Sequence, residues 1–284
     1  MASRKSPSSS TPTSGLIPTH SSGPSTKTKL VDQPEQLPSP AQILSSEPFT
    51  RQEVTLLENL DKYVDDCWGF LTGSLYTMDS VDLEQPVKRF PDWPYLKALV
   101  DLWLHEQIVI VWKPRRMVIT WTMLSCQLWL AMLRPFVRSY VGAKKAEDSD
   151  ALLDNIRFMY EHIPLSVFPV LPKATKTENL IDFPGINSKI IGVPQGGEQL
   201  RQHTATSVFY DEFAFWEEAQ ASWQATLPTL VGGGKICVVS TTAAGFFEDL
   251  VKGRLGEEDR LWEKEIGIEQ TYADKDFTAL RTVL

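Results

Sequence analysis

The stretch Gln107-Ile108-Val109-Ile110-Val111-Trp112-Lys113-Pro114-Arg115-Arg116-Met117-Val118-Ile119-Thr120-Trp121 limits what this chain can fold into. It predicts a short apolar strand, a basic turn and then a long apolar helix. Strand, loop and helix in that order are the layout of a phosphate-binding loop, whose usual pattern is G-x-x-x-x-G-K-[ST]. On that frame Lys113 takes the first glycine position and Val118 the second. Ile119 takes the lysine position and Thr120 the hydroxyl position. Only the terminal Thr fits, so the stretch needs support from elsewhere in the chain.

Support comes from Ser207-Val208-Phe209-Tyr210-Asp211-Glu212-Phe213. An aromatic and β-branched strand that ends in adjacent carboxylates has the form of a Walker B strand. Its first carboxylate suits Mg²⁺ and its second can orient and deprotonate a water. The plain alternative is a strand followed by an acidic helix start. A further stretch, Lys235-Ile236-Cys237-Val238-Val239, is a continuous apolar strand that ends in the hydroxyls of Ser240, Thr241 and Thr242, which can sense a γ-phosphate. Three strands thus end in chemistry on one side, where an open α/β sheet places its ligand. The predicted fold is α/β: a P-loop NTPase-type, mostly parallel sheet flanked by helices.

Composition narrows the function classes. The chain has 284 residues, 42% of them hydrophobic, enough for one large domain plus a tail or for two small domains. Cys67, Cys126 and Cys237 are far apart, with neither a disulfide framework nor a metal-ligand spacing, which favours a reducing compartment. A formal charge of −8 gives no support for nucleic-acid binding by bulk charge, although a local patch can still bind it. Arg4 and Lys5 are not followed by an apolar core, so no secretory signal is visible. The uncharged run Met117 to Leu133 sits at the short end of a membrane span. A helix buried within a sheet protein is the preferred reading.

Residues 1–48 are rich in Ser, Thr and Pro, and are expected to form a disordered leader. Helices are expected over Glu53 to Phe70, Tyr95 to Leu104, Thr120 to Leu133, Glu147 to His162, Glu217 to Leu230 and Phe246 to Arg254. Ser139 to Gly142 is a candidate strand. Leu180 to Phe183 and Lys189 to Val193 flank Pro184-Gly185 as a hairpin, and Trp262 to Glu269 alternates like an edge strand. The aromatic cluster between Val87 and Leu96 can stack on a base or simply pack in the core. Arg201 can reach a γ-phosphate or a neighbouring subunit, or remain a solvated surface residue; His203 is an ordinary loop residue.

Over roughly Phe90 to Arg254 the chain resembles the ATPase domain of tailed-bacteriophage terminase large subunits, the genome-packaging motors. Lys113 to Trp121 is similar to the family's variant loop K-x-R-R-x-G-x-T-W, which moves the lysine to the first position. Phe209-Tyr210-Asp211-Glu212-Phe213-Ala214-Phe215-Trp216 is similar to its Walker B segment, and Ser240-Thr241-Thr242 to its coupling motif. Val141-Gly142 through Ile163-Pro164 resembles the intervening strand and helix. Arg201 falls where the family often has Arg-Gly, and Phe90-Pro91 matches an aromatic-proline element near the adenine.

The resemblance implies ATP and Mg²⁺ as cofactors and a role for each residue. Lys113 would meet the β- and γ-phosphates from the far end of the loop, and Arg115 and Arg116 would neutralise phosphate charge, one of them as a finger. Thr120 and Asp211 would hold Mg²⁺, Glu212 would activate water, Arg201 would assist catalysis, and Ser240, Thr241 and Thr242 would couple hydrolysis to DNA movement. Implied partners are double-stranded viral DNA, a portal protein and procapsid, a terminase small subunit, and further copies of the chain in a ring. The implied place is the host cytoplasm and, transiently, the portal vertex, with no membrane. Val118 departs from the family loop, because valine resists the positive φ that glycine allows, and Ile119 gives no lysine at the usual place, so the loop rests on Lys113. Three readings stand: an ATP-hydrolysing packaging motor, a degenerate ATPase fold serving as a non-catalytic binding or assembly module, and a helicase-like translocase. The expected layout is a leader at 1–48, the ATPase domain at 49–272 and a linker at 273–284, with no nuclease activity expected.

Overall fold

The computed structural model describes residues 58–59, 61–168, 171–196, 204–241, 243–252, 263–272 and 275–283, the last two as backbone strands. The leader at 1–48, Arg201, His203 and Thr242 lie outside the described residues.

The expected α/β fold is present. Five strands run parallel at the centre of one sheet: β3 (Ile108–Trp112), β9 (Lys235–Ser240), β8 (Ser207–Tyr210), β4 (Arg138–Ala143) and β7 (Ser188–Pro194), in that order across it. Beyond β7, β6 (Leu180–Phe183) and β5 (Thr175–Thr177) continue antiparallel. On the other side β11 (Lys275–Val283) pairs antiparallel with β3, and β10 (Glu263–Tyr272) follows it at the edge. A separate hairpin, β1 (Tyr76–Met78) and β2 (Val87–Arg89), precedes the sheet in sequence.

The central strands are mostly apolar, with their charged residues within the first two positions of β4, β7 and β9, because both faces are covered. Val109 and Val111 of β3, Phe209 of β8, and Cys237 and Val239 of β9 point to one core. That core also takes α1 (Cys67–Ser74), α2 (Pro94–His105), α3 (Ile119–Leu133) and α4 (Ala146–Glu161). Ile108, Ile110, Val208, Tyr210, Ile236 and Val238 point to the other, under α5 (Ala219–Thr226) and α7 (Phe246–Lys252). Each such side chain contributes about 1.5–3 kcal/mol on leaving water.

Helix α3 is buried nearly all round, which accounts for its lack of charge. Two of its hydroxyls bond back one turn: Thr122 Oγ1 donates to the Val118 carbonyl at 2.9 Å and Ser125 Oγ to the Trp121 carbonyl at 2.8 Å. No helix among the described residues is long and apolar enough to cross a membrane.

Two expected helices are divided. In the first, Asp66 caps α1 by accepting the Gly69 N–H at 2.8 Å, so the chain restarts a helix there. In the second, Pro228 opens α6 (Pro228–Val231) after Leu227, since proline has no N–H to continue α5. Gly142 is needed for close approach: a Cβ there would lie 2.5 Å from the Tyr210 ring and 2.9 Å from Trp216. The absence of a side chain brings β4 against the end of β8, where the Asp211 N–H reaches the Gly142 carbonyl at 3.1 Å.

Candidate nucleotide site

The carboxyl ends of β3, β9 and β8 lie side by side, with Trp112 in register with Ser240 and Val238 with Tyr210. The residues that follow each strand therefore meet above one edge of the sheet. After β3 the chain turns at Lys113, whose N–H donates to the Ser240 carbonyl at 3.0 Å. Lys113 is 6% exposed, and its ammonium is 3.4 Å from Glu212 Oε1. Pro114, Arg115 and Arg116 are exposed, and the loop then dips so that Met117 is buried.

The turn into α3 is made by left-handed backbone at two side-chain-bearing residues, Arg116 at φ 64° and Val118 at φ 59°. Val118 is the N-cap of α3 and contributes no side-chain cap. The loop adopts the conformation that a glycine would take without strain, and a branched residue occupies it. The loop is also braced from α2. Tyr95 Oη donates to the Met117 carbonyl at 3.1 Å, and burial pushes that phenol up to about 12. Sequence reasoning missed this brace, because a tyrosine on a helix carries no mark of its distant partner.

Thr120, in the first turn of α3, faces Asp211 at the end of β8. Its hydroxyl is 3.1 Å from Oδ1 and 3.2 Å from Oδ2. Removal from water raises Asp211 to about 6; the Lys113 charge and the Thr120 hydroxyl pull the other way, and the Glu212 charge adds to the rise. Glu212 sits in left-handed backbone, φ 48° and ψ 41°. Besides Lys113, it meets the end of β9: Oε2 accepts from the Thr241 N–H at 3.3 Å and from Thr241 Oγ1 at 3.2 Å. Ser240 Oγ accepts the Ala214 N–H at 3.0 Å, tying β9 to the turn after Glu212.

Lys113, Ser240 and Thr241 thus gather on Glu212, and Thr120 on the adjacent Asp211. Arg115 and Arg116 stand on the exposed side of the same loop. Phe90 is buried and lies edge-on to Trp68, while Trp93, 38% exposed, stacks on Tyr95 at 5.7 Å. A hydroxyl beside a carboxylate, with an ammonium and exposed guanidinium groups across from them, suits a Mg²⁺-bound polyphosphate, since Mg²⁺ takes oxygen ligands and shares them with phosphate. Among the described residues no group of three or more His, Cys, Asp or Glu side chains could hold a metal by itself, so an ion here needs phosphate oxygens and water to complete its shell.

No protein-family model matches the sequence, and no curated protein matches it. The solved structures it resembles are phage large terminases. The HK97 bacteriophage large terminase aligns with a TM-score of 0.50 at 15% identity, over 67% of this chain and 42% of that one. The large terminase ATPase domain of Thermus phage P74-26 aligns with a TM-score of 0.42 at 17% identity, over 51% of this chain and 64% of that one. The aligned part spans less than two thirds of either protein, and at these identities the likeness is one of fold.

Proposed function

We propose that this chain, built on the fold it shares with phage large terminases, is an ATP-hydrolysing motor subunit that moves double-stranded viral DNA into a procapsid. The observation that carries the reading is the meeting of Lys113, Thr120, Asp211 and Glu212 at the carboxyl edge of the sheet. Lys113 and the start of α3 would receive the β- and γ-phosphates, with Arg115 and Arg116 neutralising charge from the open side. Thr120 and Asp211 would hold Mg²⁺, which when bound offsets phosphate charge. Glu212 would take the proton of a water whose oxygen forms a bond to the γ-phosphorus while the bond to the β–γ bridging oxygen breaks and ADP departs. Phe90 anchors the segment proposed to meet the base. Arg201 would assist from the loop before β8, and Ser240, Thr241 and Thr242 would pass the result of hydrolysis to the DNA-moving part.

The remaining partners belong to the same proposal: a portal protein and procapsid, a small subunit that recognises DNA, and further copies of the chain in a ring, at the portal vertex in the host cytoplasm. The test is steady-state phosphate release with and without duplex DNA. Turnover that rises with duplex and is not accompanied by strand separation is the expected result. Tight ATP binding with no turnover under either condition would make the chain a binding module, and unwinding of duplex would make it a helicase-like translocase.

A further inference from the structure

The two oxygens of the Glu212 carboxylate have different kinds of partner. Oε1 faces the Lys113 ammonium at 3.4 Å, at the end of a flexible four-carbon stem. Oε2 faces Thr241, the residue after β9, which supplies both a backbone N–H at 3.3 Å and a hydroxyl at 3.2 Å. Ser240 Oγ, which accepts the Ala214 N–H at 3.0 Å, also donates to Oε2, but at the longer distance of 3.5 Å. Each oxygen thus has a protein partner, while the side chain as a whole is 41% exposed and open to water. A polyphosphate carries more charge than one carboxylate and would draw Lys113 away from Oε1. Thr241 is neutral and directly follows the paired end of β9, so a polyphosphate gives it no such reason to leave Oε2.

We propose that Thr241 is a positioning residue for Glu212: it grips Oε2 so that departure of Lys113 exposes Oε1 alone, aimed at the attacking water. This rests on the ATPase reading above, and it gives Thr241 a task distinct from sensing phosphate. A base must come within about 2.6–3.2 Å of the proton it removes, and a carboxylate free to turn about its side-chain torsions spends little time there.

The experiment compares Thr241→Val, Thr241→Ala and Thr241→Ser in the full chain. It measures kcat for ATP hydrolysis and, separately, the affinity for a non-hydrolysable ATP analogue. Valine keeps the volume and loses the donor, while serine keeps the donor. The expected result is a fall in kcat of about 10- to 100-fold for Val and Ala, near wild-type kcat for Ser, and analogue affinity within about twofold throughout. A Val variant with wild-type kcat overturns the proposal. So does a Ser variant as slow as Val, which would make packing the cause, and so does a loss of affinity in step with kcat, which would make Thr241 a nucleotide contact. A wild-type chain that binds the analogue without turning over ATP removes the ATPase reading, and this assignment with it.

Discussion

At Val118 a branched side chain occupies left-handed backbone, φ 59° and ψ 8°, at the mouth of the phosphate loop. Such a conformation costs on the order of 1–3 kcal/mol, and it persists because β3, α2 and α3 fix the loop on either side. Val118→Gly is expected to raise unfolding free energy by about 1 kcal/mol, the relief of strain exceeding glycine's larger loss of chain freedom. Thermal unfolding reads it, and a lowered midpoint would show that the valine packs better than it strains. Lys113, buried beside Glu212, is the other residue on which the proposed site depends. Lys113→Ala should abolish hydrolysis and weaken ATP binding by about 1.5–3 kcal/mol, the worth of a charge-assisted contact. Lys113→Arg should also fail, because a planar fork does not replace a compact ammonium. Wild-type turnover in the Ala variant would take Lys113 out of the site. Asp211 gives a pH dependence. Its folded-state value, about 6, lies above its ordinary 3.8, so the protonated form is favoured by folding and stability is lost as pH rises through that window. In EDTA and without nucleotide, Asp211→Asn should therefore be more stable than wild type by on the order of 2 kcal/mol at pH 7–8, with the difference gone below pH 4. An advantage that instead grows towards acid pH would contradict that sign.

At the scale of elements, what could be read from the sequence depended on burial. β3, β8 and β9 announced themselves because strands covered on both faces are unbroken apolar runs, and α3 because a helix covered all round has no charged stripe. Asp211 and Glu212 were legible as adjacent carboxylates at a strand end. β2 was not, since Val87, Lys88 and Arg89 are all exposed and no alternation marks them. The breaks at Asp66 and Pro228 each rest on a single residue inside a longer periodic pattern. Two contacts of the site were invisible for another reason: Tyr95 with Met117, and Thr241 with Glu212, join residues brought together only by the sheet order. The Tyr95 contact makes α2 a support for the loop. Tyr95→Phe should cost about 1 kcal/mol of stability and speed amide hydrogen exchange over residues 113–118, with weaker ATP binding as the loop loosens. Unchanged exchange there would leave Tyr95 as a packing residue alone.

For the whole molecule, the order across the sheet does the positioning. β9 and β8 are inserted between β3 and β4 even though β4 follows β3 in the chain, so the loop after β3 faces the carboxylates after β8 across the end of β9. Lysine, hydroxyl and carboxylates from widely separated sequence positions then share one edge, and the acidic chain as a whole need not be basic to bind a phosphate there. The claim that this edge hydrolyses ATP is tested most directly by Glu212→Gln, which keeps the shape of the side chain and removes its capacity as a base. Phosphate release and ATP affinity are measured together for wild type and variant. The account predicts turnover in wild type, loss of about 100-fold or more in the variant, and ATP binding retained in both. Equal turnover in the two proteins, or phosphate release at the blank in both, would contradict it.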